Sequence, residues 1–161
     1  MRTIVLAAAL TLIAAGSAAA QNASQIEAVR GGANCPNCNL FQADLGGLQL
    51  KGRNYAGARL RQANLSLAIM NRSRFSGADL RDVDAFGALF AGADFTGANL
   101  TSATFVGTHL QGARFGGATL TGANFSGAEM DRATGLTQAR LNGACGDAAT
   151  RLPPGLTIPA C

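Results

Sequence analysis

The chain has 161 residues, 13 lysines and arginines against 9 aspartates and glutamates, and a formal charge of +4. That length supplies one narrow core and excludes two. With His109 as the one histidine, there is little from which to build a nitrogen-ligated metal site.

Residues 1–20 read as a secretory signal: a single Arg2, an apolar run from Ile4 to Ala15, and Ala18, Ala19 and Ala20 ahead of Gln21. The run is shorter than the about 20 apolar residues that span a bilayer. Cleavage is therefore expected, leaving an exported chain, periplasmic or secreted, with no transmembrane helix. Removing Arg2 lowers the charge without reversing it. Residues 21–37 are expected to form an N-terminal helical cap. Within that region Ser24 can cap a short helix, with Glu27 at capping-box spacing, Ile26 and Val29 apolar, and Gly31-Gly32 as a stop. Such a turn would cover the open end of a stacked core; the alternative is an arm that binds a partner.

From Leu40 to Met130 a large apolar residue recurs every fifth position, through Leu45, Leu50, Tyr55 and Leu60 to Phe115, Leu120 and Phe125, with Ala85 as the small exception. Two residues before most of these centres stands alanine, as at Ala43, Ala58 and Ala98; two residues after stands glycine, as at Gly77, Gly97 and Gly117. A period of five fits neither the 3.6 of a helix nor the 2.0 of a strand. Strict short-period recurrence instead predicts a solenoid, in which each unit buries its apolar residue only by stacking on its neighbours.

The units Ala43-Asp44-Leu45, Ala63-Asn64-Leu65, Ala78-Asp79-Leu80, Ala98-Asn99-Leu100 and Ala123-Asn124-Phe125 resemble those of the pentapeptide-repeat proteins. The resemblance covers roughly residues 40–142 and implies an all-β fold, a right-handed quadrilateral β-helix with four pentapeptides per coil. The expected organisation is a signal peptide at 1–20, a helical cap at 21–37, the β-helix at 38–142 and a disulfide-closed tail at 143–161. With four units per coil, every twentieth residue stacks. One inner column is then Leu40, Leu60, Leu80, Leu100 and Leu120; another is Tyr55, Phe75, Phe95 and Phe115. The register slips after Met130, where Thr134-Gly135 is expected to bulge. Arg53 falls at an inward small position and has no reading from the sequence.

All four cysteines, Cys35, Cys38, Cys145 and Cys161, read as lying outside the regular repeat. In an exported protein an even number reads as disulfides. Cys35 and Cys38 have the spacing of a redox motif but lead into a β-solenoid and not a βαβ unit. They are read as a local bridge or a reduced pair, with redox and metal roles as alternatives. Cys145 and Cys161 bracket a segment with three prolines and no five-residue register, and closing that loop contributes about 3 kcal/mol by chain entropy. Pairing between the two ends would have to span the solenoid, which disulfide geometry forbids. The tail from Leu141 to Leu156 also resembles that of exported bacterial pentapeptide-repeat proteins.

Two outer features are candidate interaction surfaces. Lys51, Arg53, Arg59, Arg61, Arg72 and Arg74 form a basic run without an acidic residue, suited to an anionic lipid, a glycan or the cell wall. The coil geometry spreads these cations over three sides and stacks Arg59 toward Asp79, with Arg74 and Arg114 flanking Asp94, so ordinary solvated surface is the competing reading. The second feature is apolar: Ile69 and Leu89 point outward on one side, and Phe86 lies above Val106 on the next, beside the small Ala85. An unknown protein, an envelope component or a second copy of the chain could cover such a strip; alternatively, Phe86 tucks inward. His109 is expected to be exposed, with no carboxylate in register to make it a base.

No nucleophile–base set, phosphate-cradling loop or metal cluster is evident, and no cofactor is expected. The expected function is an exported, non-enzymatic structural or protein-interaction module. The resemblance offers an alternative, a DNA-mimic topoisomerase-binding protein, which calls for an acidic cytoplasmic rod; this chain is basic and carries a signal. Nucleic acid is accordingly not expected as a partner. A small redox protein built on Cys35 and Cys38 is the other alternative.

Overall fold

The structure, a computed structural model, describes residues 21–161; the expected signal peptide lies outside the described residues. Parallel bridges join residues twenty apart, from Asn39 with Arg59 through Arg114 with Thr134. One coil is therefore twenty residues and has four five-residue sides. On each side the centre is buried, and so is the small residue two before it, except where the larger Leu48 and Arg53 take that position and are only partly buried. The backbone then turns through a corner closed by a bond such as Ala58 N–H to Tyr55 C=O at 3.0 Å. The residue two past each centre holds a φ between 54° and 70° at every corner from Asn37 to Gly127. Glycine takes that conformation without a Cβ clash, which is why it dominates there. Backbone groups between corners pair with the coils on either side, as where Arg59 N–H donates to Cys38 C=O and Leu60 N–H to Asp79 C=O, both 2.8 Å.

The interior is dry and arranged in columns. Leu40, Leu60, Leu80, Leu100 and Leu120 are at most 2% exposed. Tyr55, Phe75, Phe95 and Phe115 stack with centroids 5.3, 5.2 and 5.3 Å apart. Rings at that separation pack in offset fashion, and each burial contributes about 1.5–3 kcal/mol. The small Ala85 stands in the same coil as Phe90, which meets Phe75, Phe95 and Phe105 with centroids 5.4–5.9 Å apart.

At the N-terminal end, helix α1 (Ala23–Arg30) closes the first coil with Val29 buried against it. Its N-cap is Asn22 and not the expected Ser24: Asn22 Oδ1 accepts from Gln25 N–H, and Ser24 instead donates to the same oxygen. The cap is tied to the coil where Asn39 N–H donates to Gln25 Oε1 at 2.8 Å and Arg30 donates to Asp44 C=O at 3.2 Å.

Cys35 and Cys38 form a disulfide, and both lie in the repeat register, contrary to expectation. Cys35 stands at the centre position beneath Tyr55, donating its N–H to Asn54 C=O, and Cys38 at the small inward position before Leu40. A centre and the next small position are three residues apart across every corner, so the redox-like spacing is the spacing of a corner. Arg53 also finds its reason here. Above it, Ser73, Ala93 and Ala113 leave room only for small groups, whereas Arg53 belongs to the first complete coil and extends toward Gly32 beyond α1.

At the C-terminal end the bridge spacing lengthens, with Asn124 opposite Cys145 and Glu129 opposite Arg151. A second helix, α2 (Gln138–Leu141), replaces one side of the last coil past the point where the register slips. Leu141 still fills the interior above Leu120. Thr137 caps α2 by accepting from Arg140 N–H. Gly135 makes the expected slip possible: its φ is 77°, and the backbone of Gly116 occupies the space a Cβ would need. Cys145 and Cys161 form the second disulfide. It folds the tail back so that Gly146 bridges Ala160, while Leu152, Leu156 and Ile158 cover the end of the core.

Candidate interaction surface

The four sides present four outward columns, and most of their charges are matched. Arg61 pairs with Asp82 at 3.3 Å and Arg81 with Asp79 at 2.6 Å. Arg59 stacks in parallel with Asp79. Hydrogen bonds from Arg81 hold the Asp79 carboxyl below its ordinary range. Burial raises the Asp94 carboxyl, but bonds from Thr96 and the charges of Arg114 and Arg74 outweigh it. Of the basic run, Arg59, Arg61 and Arg74 thus belong to ordinary surface ladders.

Lys51 and Arg72 are different. They carry no ion pair among the described residues, and together with Gly52, Asn71 and Ala91 they line a surface groove of about 440 Å³. A second groove of about 330 Å³ shares Ala91 and continues along the same corner past Gln111 and Gly112 to Arg132. Asn71 Oδ1 accepts from Ala91 N–H at 2.8 Å, so the side-chain groups that remain to face a ligand in the first groove are donors.

That corner bounds the side whose outward column is Gln49, Ile69, Leu89, His109 and Glu129. The opposite corner of the same side carries Phe86 and Val106, so all four apolar candidates border one face. Phe86 does not tuck inward: it is 53% exposed. Leu67, at 60%, is more exposed still, and sequence reasoning missed it. The signal was available, because Leu67 stands at a corner position where the register favours glycine. Its side chain runs alongside Gly87, where a Cβ would meet Leu67 Cδ2 at 2.9 Å.

His109 is not without a carboxylate in register. Glu129 stands one coil above it, with Nδ1 to Oε2 at 3.0 Å, and also engages Gln111 and Arg151. Among the described residues no group of three or more His, Cys, Asp or Glu side chains is placed to hold a metal. No described helix is long and apolar enough to cross a membrane.

The twenty-residue coil has its counterpart in family comparison: eight copies of the pentapeptide repeat match within segments 56–84, 78–116, 98–134 and 108–145, more than half of the chain. The chain belongs to the pentapeptide-repeat family. Among solved structures, this pentapeptide-repeat protein is similar to HetL from Nostoc sp. strain PCC 7120, at 23% identity over 81% of this chain and 61% of that one, with a TM-score of 0.43. It is similar to Rfr23 from the cyanobacterium Cyanothece 51142, at 26% identity over 81% and 97%, with a TM-score of 0.38. It is also similar to trypsin-treated QnrB1, a plasmid-mediated fluoroquinolone resistance protein, at 25% identity over 70% of each chain, with a TM-score of 0.35. The pentapeptide-repeat protein described here spans about 61% of the length of HetL. None of the curated proteins matches it.

Proposed function

We propose that this pentapeptide-repeat protein is an exported, non-enzymatic interaction module of the periplasm or cell envelope. Its rigid β-helix offers the Ile69 face to another envelope component. The observation that carries the reading is the exposed apolar edge of Leu67 and Phe86 beside Ile69 and Leu89, since contiguous outward apolar groups mark interaction sites where scattered ones do not. Export is supported by the signal-like residues 1–20 and by cysteines paired in two disulfides, which persist in oxidising compartments. Family membership supports a structural or interaction role over catalysis. Topoisomerase binding by DNA mimicry is disfavoured, because the chain is basic and the outward carboxylates Asp79, Asp82 and Asp94 are each answered by arginine.

A photo-crosslinker at Leu89, combined with cell fractionation, tests the reading. The expected outcome is a disulfide-bonded protein outside the cytoplasm whose probe recurrently captures the same envelope component. A reduced protein retained in the cytoplasm would overturn export. A probe that captures nothing would overturn the interaction face.

A further inference from the structure

Leu67 and Arg72 are consecutive corner residues of one coil, with φ values of 57° and 60°. A side chain in that region destabilises the backbone relative to glycine. Leu67 adds a second cost by leaving its apolar surface in water. Polar side chains hold the same conformation at Asn37, Gln42, Gln62, Asp82 and Ser102, so what sets Leu67 and Arg72 apart is an exposed apolar group and a cation without an ion pair among the described residues, at opposite edges of the Ile69 face. One edge is apolar, with Leu67, Phe86 and Val106. The other is cationic, with Lys51 and Arg72 free of ion pairs among the described residues, over a groove whose side chains offer donors. Glu129, in the outward column, is already engaged by His109 and Arg151, and Asp131, at the far end of the cationic edge, by Arg132.

Apolar groups beside unanswered cations complement an anionic amphiphile. A second copy of the chain fits poorly, since it would bring the same cations to the interface. The face is also small: its five coils stand about 24 Å tall, and a five-residue side is at most about 18 Å across. The product, at most about 430 Å², is about half of the about 800 Å² per partner that a stable complex of standard size buries. A lipid surface needs no such area, because apolar insertion and headgroup attraction add.

We infer that the Ile69 face docks on the surface of a membrane containing anionic phospholipids. Leu67 and Phe86 enter the interface, and Lys51 and Arg72 hold headgroup phosphates. The inference rests on the reading of this face as the interaction surface.

The chain contains no tryptophan, so a single one reports its own surroundings. Full-chain Phe86→Trp is compared with Thr119→Trp, on the opposite side, during titration with phosphatidylglycerol-containing or pure phosphatidylcholine vesicles. The expected result is a blue shift at position 86 only, and only with the anionic vesicles. Lys51→Gln with Arg72→Gly should weaken partitioning about 25-fold at low salt, at about fivefold per cation. Leu67→Gly should weaken it while the melting temperature holds or rises, which separates docking from folding.

Equal shifts at both positions, no shift at either, or a shift reproduced by phosphatidylcholine would overturn the inference. So would displacement by millimolar inorganic phosphate, which would make the groove a free-phosphate site. A shift that follows protein concentration without vesicles would replace the membrane with a second copy. Capture of one envelope protein from Leu89, with the Phe86→Trp emission silent to lipid, would refute membrane docking and leave the interaction module standing. A cytoplasmic, reduced protein whose Phe86→Trp emission still responded to anionic vesicles would do the reverse.

Discussion

The middle of the β-helix and its two ends are built by different rules. Between about Leu60 and Met130 each inward residue is chosen by the residues twenty positions away, and the interior is a set of leucine, aromatic and small-residue columns. At the ends a column has a neighbour on one side only. There the chain uses side-chain ties, two helices and two disulfides, and admits residues the middle would reject. Arg53 has a buried Nε without a partner, and the buried Tyr55 hydroxyl is likewise unpartnered. Regular stacking thus supplies stability, and irregular closure keeps the stack from growing further.

The largest test of this contrast is Leu100→Asp, which places a charge in a fully dry column. Its cost is expected to match the whole stability of a domain of this size, about 5 kcal/mol or more. Retention of the β signal and of the melting temperature would refute the column.

Removing the C-terminal staple with Cys145→Ala and Cys161→Ala should cost about 3 kcal/mol. The tail after Cys145 should become sensitive to limited proteolysis while the coils stay resistant. Equal resistance with and without the bridge would show that the end does not depend on it.

Tyr55 tests the N-terminal end by pH. Burial pushes its phenol up to about 12, against the lowering effect of Arg53. The folded-state value lies above the unfolded one, so the stability it contributes is present below about pH 10 and lost as pH rises toward 12. The loss amounts to about 2–3 kcal/mol at about 1.4 kcal/mol per unit. Denaturant midpoints should fall across that window in the wild type and stay nearly flat in Tyr55→Phe. At neutral pH the same variant should be about 1 kcal/mol more stable, because it removes an unsatisfied buried hydroxyl. A destabilised variant would mean that the hydroxyl has a partner.

The smallest expected effect belongs to the outer surface. Leu67→Gly should gain about 1 kcal/mol by relieving a left-handed side chain. A loss in thermal melting would show that Leu67 is packed by the fold and is not held out from it.

Much of this was legible in the residues themselves. The five-residue period, read with four units per coil, placed Leu100 over Leu80 and Phe95 over Phe75, because a repeat that recurs without insertions leaves one way to stack. Only the tertiary structure decided the rest. That Cys35 and Cys38 continue the register became visible once Asn54 and Ala56 were seen to pair with the chain around them. Helix α2 could not be read from four residues, since so short a helix is held by its place at the end of the core and not by its own propensity. The twenty-residue period already set Arg74 beside Asp94, but Lys51 and Arg72 stood out from the basic run only once the coil supplied Asp82 to Arg61 and left those two without an ion pair among the described residues. The period determines which residues go in, because burial repeats with the backbone. Which outward residues face one another is set by the stacking of coils twenty residues apart, and only the folded chain brings those coils together.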